Sequence, residues 1–467
     1  MMRGFAAAIV CTVAISAAAV PNDDRTIAHV LNRLAFGARP GDVDRVRQMG
    51  LEHYIRRQLE PDRVADPAID ARLAQLTTVK LTNRDIADRF ERPLMEARRA
   101  RKQNDAADQN AQGAPKAPDP VQRRANSVVV ELGAQKILRA VDSERQLQEV
   151  LTDFWFNHFN VDARKGRDRF MLTEYERETI RPHVLGRFRD LIGATAKSPA
   201  MLFYLDNWMS ADPDGPHGPM LRQRLQARKN APRGLNENYG RELMELHTLG
   251  VDGGYTQKDV TEVARAFTGW TIENPRQGGG FIFRPQLHDM GQKVVLGHVI
   301  RGGGGQSDGE QVLDMLTAHP STARFIAAKL VRRFVADDPP AALVERAAER
   351  FRKTGGDLRE TVRTILTSRE FLAADAIDAK ARTPFEFVVA ALRATGADVP
   401  DARPFVRTLQ QLGMPLYQCQ PPTGYKDTAD AWINTGALVA RMNVATRLAD
   451  GDGELASRLG SPEFQRR

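Results

Sequence analysis

The sequence is poor in cysteine, with two in 467 residues, Cys11 and Cys419. Cys11 lies in an N-terminal stretch read below as a leader, so one thiol remains and no internal disulfide can form. Cys419 sits in Gln418-Cys419-Gln420-Pro421-Pro422 with no helix N-terminus beside it, which argues against a thiolate nucleophile. Aromatics make up 7% of the chain and do not interleave with basic runs such as residues 98–102, so no nucleic-acid footprint is present. Beyond the first twenty residues no apolar run approaches the roughly 18 residues that a transmembrane helix needs. Several signatures are missing as well. No H-E-x-x-H argues against a zincin, no G-x-S-x-G against a Ser-His-Asp hydrolase, and no C-x-x-C-H against attached heme. Thr248 stands three residues after Glu245, where a di-iron bundle would carry histidine.

The opening of the chain reads as an export signal. Arg3 precedes an apolar run over residues 5–19, and Ala17-Ala18-Ala19 fits a cleavage site, giving a leader of 1–19 and a periplasmic or secreted protein. The formal net charge of +8 favours contact with an anionic envelope surface or acidic glycan.

Helical periodicity dominates the rest, and the expected fold is all-α, a multi-helix globular array. Three short helices separated by Gly37, Pro40, Gly50 and Pro61 predict an N-terminal helical unit over 20–60. Residues 61–125 hold a charged helix and an Ala/Pro-rich linker (104–122) with almost nothing to bury. A main helical domain is expected over 126–467, interrupted at 278–305 by a small β-hairpin that pairs 281–283 with 293–300. Ser307 with Glu310, and Thr256 with Asp259, read as capping boxes.

Residues 236–270, NENYGRELMELHTLGVDGGYTQKDVTEVARAFTGW, carry the densest chemistry. At about 100° per residue, Asn238, Glu242, Glu245 and Leu249 lie within about 60° on one helix. Two carboxylates and an amide thus border an apolar face, where charge needs a partner or a cation. Arg241 is spaced to pair with Glu245, whereas Glu242 has no such partner. A second helix, around Asp153-Phe154-Trp155-Phe156-Asn157-His158, places His158 on the face of Leu147 and Leu151. That histidine is expected either to act chemically or to bond a backbone carbonyl in the core. His288-Asp289 on the hairpin turn could ligate a metal or form a base with its orienter.

These residues give a candidate site. Glu242, Glu245 and His158 are the expected catalytic groups, and Asn238, Arg241, Trp155 and Asn157 the binding groups. His158, Glu242, His288 and Asp289 would ligate a divalent metal, a nitrogen and oxygen set suited to Zn, Mn or Fe.

The chain resembles the uncharacterised bacterial family catalogued as domain of unknown function 1800. The matching stretches are residues 29–37 (HVLNRLAFG), 154–159 and 236–270, then His288-Asp289 with Lys293 and Leu296-Gly297. Leu412-Gly413, residues 421–424 and Trp432 complete them. Where the family carries a polar residue after Trp155, this chain has Phe156. The resemblance implies an exported, mainly helical protein, with a sulfatase-like exported partner expected from members' genomic neighbours, and no established activity. Two functions are carried forward: a metal-dependent hydrolase of an envelope or extracellular polymer, and a non-catalytic scaffold for an exported partner or surface glycan.

Overall fold

The computed structural model describes residues 22–107, 119–215 and 234–467. The expected leader and the centre of the Ala/Pro-rich stretch lie outside these residues. The described chain is mainly α-helical, as the periodicity predicts. Helix α1 (Asp24–Leu34) begins where the Asp23 carboxylate accepts the Thr26 N–H. Its Ile27, Val30, Leu31 and Leu34 are buried, and His29 Nε2 donates to the Phe371 carbonyl at 2.8 Å. The helices Asp42–Met49 and Leu51–Gln58 follow, and all three share one apolar core that extends to Leu459. A smaller cluster gathers Ile86, Phe90, Leu94, Ala125, Val128 and Phe170.

Helix shortens the expected linker from both sides. The charged helix runs Arg92–Ala107, and α2 (Pro120–Asp142) starts at Pro120 with the Asp119 side chain as its cap. Helix α3 (Gln146–His158) then places Trp155 and His158 in the interior. Helix α4 (Asn238–Glu242) does not continue as an α-helix. Residues 243–248 wind as a π-helix, with Leu249 N–H donating to the Met244 carbonyl at 2.8 Å. Helix α5 (Gln257–Ala266) opens on the expected Thr256–Asp259 capping box.

The strands pair differently from expectation. Strand β1 (Trp270–Ile272) pairs antiparallel with β2 (Phe281–Phe283), while β3 (Lys293–Val295) folds back on β4 (His298–Ile300). Two hairpins replace one, because Leu296 and Gly297 both adopt positive φ and close a two-residue turn within 293–300. The Ser307–Glu310 box does not form: Gly305 caps the helix Gln306–Ala318, and Glu310 pairs with Arg189 and Lys197. Helix α6 (Pro320–Phe334) packs against the helix Ala341–Lys353, which in turn packs on Leu358–Leu366. None of the described helices is long and apolar enough to cross a membrane.

Candidate functional site

The π-turn alters the acidic stripe. It holds one residue more per turn, so side chains beyond Leu243 rotate away from where α geometry would put them. Glu245 accepts the Tyr255 hydroxyl at 3.2 Å. Arg241 is not its partner; it reaches Gln257 Oε1 at 2.8 Å and Glu237 at 3.6 Å. Glu242 and Asn238 border an open cavity of about 690 Å³, together with Asp162, Arg164, Lys165 and Tyr204. Partial burial, helped by the negative charge of Glu245, raises the Glu242 pKa above the ordinary carboxylate value. Asp162 is committed to Arg164 in a bidentate pair, and Lys165 to Asp206.

His158 is 2% exposed, and its Nε2 lies 3.1 Å from the His247 carbonyl. The oxygen accepts, so Nε2 carries the hydrogen. Nδ1 keeps its lone pair and has no partner among the described residues. Burial, then the positive charge of Lys329, holds the His158 pKa well below its ordinary value. Burial likewise brings His247 down to about 3, and both rings are neutral at pH 7. Trp155 is fully buried and donates from Nε1 to the Val184 carbonyl at 3.2 Å, so it packs in the core.

His288 and Asp289 are not gathered with His158 or Glu242. The His288 ring is fully buried between the Thr268 carbonyl (2.8 Å from Nδ1) and Asp308 Oδ2 (3.1 Å from Nε2). Asp289 takes two bonds from Arg265, at 2.6 and 3.1 Å. Lys293 completes this network, donating to Asp308 at 2.8 Å and to the carbonyls of Asp289 and Gly291. Among the described residues no three His, Cys, Asp or Glu side chains stand grouped where they could hold an ion. The four expected metal donors therefore occupy three separate places.

What opens beside His158 is a different cavity, of about 350 Å³. The C-terminal end of α3 supplies one side, with Phe154, Phe156 and Asn157; α6 supplies Lys329, Arg332 and Arg333 opposite. Residues from 414 to 428 close the third side. Asn157 fixes that segment by a reciprocal pair, donating to the Tyr425 carbonyl at 2.8 Å and accepting its N–H at 2.7 Å. Asn160 holds the carbonyls of Cys419 and Pro421, each at 2.9 Å. Only glycine fits at 424: its φ is +73°, and a Cβ there would sit 2.2 Å from the Asn157 carbonyl. Asn157 is thus a clamp on the protein's own backbone. Burial pushes the Cys419 thiol up to about 11, which keeps it protonated.

The cavity's charges do not cancel. Lys136 is paired with Asp153 at 2.6 Å, Arg333 with Glu386, and Asp427 with Lys380 at 3.1 Å. Lys329 and Arg332, one turn apart on α6, pair with no carboxylate among the described residues. Lys329 makes no hydrogen bond to them either; its nearest partner is the face of Phe325 at 5.4 Å. Arg332 uses Nε on the Asp337 carbonyl at 3.1 Å and has further N–H groups to offer. Burial, then repulsion from Arg332, lowers the Lys329 pKa to about 8, against a smaller opposing pull from Asp427. The cavity thus combines an aromatic lining with two cations that have no carboxylate of the described residues within pairing distance, one of them an amine of lowered basicity. Sequence reasoning missed both cations, since Lys and Arg at the flank of an amphipathic helix read as ordinary surface.

No curated protein and no solved structure matches the chain. A family model described as "Protein of unknown function (DUF1800)" matches residues 29–466, from the α1 histidine almost to the C-terminus. With nearly all of the described fold inside that match, the chain belongs to the DUF1800 family.

Proposed function

We propose that this protein is an exported binding protein that holds an acidic sugar of a surface polymer in the cavity between α3, α6 and residues 414–428. The observation that carries the reading is the pair Lys329 and Arg332, two cations one turn apart lining the cavity, neither with a carboxylate of the described residues within pairing distance. Bringing two like charges together in a partly dry cavity is unfavourable until an anion joins them. A guanidinium fork and an ammonium suit a carboxylate or sulfate, and Phe154, Phe156 and Tyr425 give a sugar ring apolar faces to stack on. Export, expected from the leader, and the basic net charge agree with an anionic surface as the setting.

Metal-assisted hydrolysis has less support, because His158, Glu242 and the His288–Asp289 pair are held apart and two of them are spoken for. One observation favours a hydrolytic second reading without that metal set: Glu242, with its raised pKa, faces the open cavity on the other side of the same loop, where Gln420 and Pro422 contribute. There it would serve as a proton donor to a polymer lying across Gln420.

The test is calorimetric titration with oligogalacturonate and heparin-derived oligosaccharides, using a neutral cello-oligosaccharide as control. The acidic ligands bind, salt weakens them, Arg332→Gln loses at least tenfold in affinity, and EDTA changes nothing. Equal binding of the neutral control, or binding that EDTA abolishes, overturns the reading.

A further inference from the structure

An amine in this setting can do more than attract charge. Lys329 faces the cavity, touches an aromatic ring and donates to no described oxygen, whereas Lys293 is held by three. Its neighbours withhold the usual stabilisation of an ammonium. Arg332 repels it from the next turn of α6, while His158 and His247 present neutral imidazoles from α3 and the π-helix. Asp427, the acid that acts on it from the same cavity, is engaged through Oδ1 by Lys380 at 3.1 Å and Arg467 at 3.8 Å, while its Oδ2 has no hydrogen-bond partner among the described residues. With its pKa near 8, a substantial share of the amine is neutral at mildly alkaline pH.

We propose that Lys329 is a nucleophilic amine that forms a Schiff base with an aldehyde or ketone whose neighbouring acid group is held by Arg332. This deepens the anion-binding reading and rests on it, because Arg332 must first seat the acid. The Nζ lone pair adds to the carbonyl carbon, and the C=O π pair moves onto oxygen, which takes a proton. The nitrogen gives up a proton to water, the carbinolamine expels its hydroxyl as water, and a C=N bond remains. No oxidant or second reactant is consumed. The ligand class is a 2-oxo acid, such as the open-chain form of an acidic sugar whose carbonyl carbon adjoins the carboxylate.

Glyoxylate, the smallest molecule with an aldehyde beside a carboxylate, is the probe. The native protein is incubated with it and cyanoborohydride near pH 7.5, and adducts are located by peptide mass spectrometry. Lys353, whose side chain is 69% exposed, is the internal reference. Lys329 is expected to be labelled on the order of tenfold faster than Lys353. Arg332→Gln slows labelling of Lys329 alone, and saturating oligogalacturonate protects it. Labelling of Lys329 no faster than Lys353, in protein that still binds oligogalacturonate, overturns the amine proposal while the anion site stands. Loss of oligogalacturonate binding in unmodified protein brings down the anion reading itself.

Discussion

Lys293, fully buried, and Lys329, partly buried against a cavity, lie in two regions built on opposite terms. In the network of residues 268–308, Lys293 donates to Asp308 and two carbonyls, His288 is bracketed on both nitrogens, and Asp289 is closed by Arg265. In the cavity beneath residues 414–428, Lys329 and Arg332 are left without a carboxylate, and His158 Nδ1 without a donor. A polar cluster whose charges are paired with one another fixes packing, and of the Asp308 carboxylate only Oδ1 is left without a partner among the described residues. Two cations without a carboxylate of the described residues within pairing distance, lining a cavity, are the feature on which the proposed anion binding rests. The difference is that His288 and Asp289, which looked most chemical in the sequence, are engaged by the protein's own groups, while two cations on an ordinary helix are the ones the proposal rests on.

The largest effect expected from this contrast is in the network of residues 268–308. Asp308→Ala strands the buried ammonium of Lys293, and urea unfolding should show a loss of about 3–5 kcal/mol. A loss under 1 kcal/mol would mean that the network is not what holds the hairpins in place. Next comes Gly424→Ala, which forces a Cβ against the Asn157 carbonyl at positive φ. It should lose about 2 kcal/mol and weaken oligogalacturonate binding by loosening the cavity wall.

Lys329→Met should have the opposite sign. The folded pKa of Lys329 is lowered to about 8 against an ordinary 10.5, so below pH 8 both states are charged and the folded protein bears the penalty of burial. Between pH 8 and 10.5 the unfolded chain binds the extra proton, and stability of the native protein rises with pH. The variant is therefore more stable than wild type at pH 7, by roughly 2 kcal/mol after allowing for water at the cavity mouth, and the gap closes by pH 10.5. Denaturant midpoints at pH 7 and 10.5 check it; a variant less stable at pH 7 would show that Lys329 is paired after all. Smallest is Arg241→Ala, expected within about 0.5 kcal/mol of wild type and with unchanged binding, since its partners are exposed.

Much of the fold was legible in the residues. The 3.6 period and the Thr256–Asp259 box are local signals, and local signals survive folding, whereas the start of α2 at Pro120 lay inside the stretch read as linker. The hairpin pairing was not, because Trp270–Ile272 looks like the end of a helical run until Phe281–Phe283 lies beside it. The π-turn at 243–248 could not be read from spacing either, since the spacing argument assumes the α period that the turn breaks. The alternative of a core histidine bonded to a carbonyl describes His158, yet nothing local names His247 as the acceptor. Lys329 and Arg332 stayed hidden for a related reason. Their meaning depends on carboxylates far off in the chain, Glu386 paired with Arg333 and Asp427 bonded through one oxygen to Lys380.

A crystal structure with bound trigalacturonate tests the central claim most directly. The account predicts one carboxylate seated between Lys329 Nζ and the Arg332 guanidinium, with the sugar ring against Tyr425 or Phe154. Trigalacturonate bound elsewhere, with those two cations instead satisfied by the protein's own carboxylates, would contradict it.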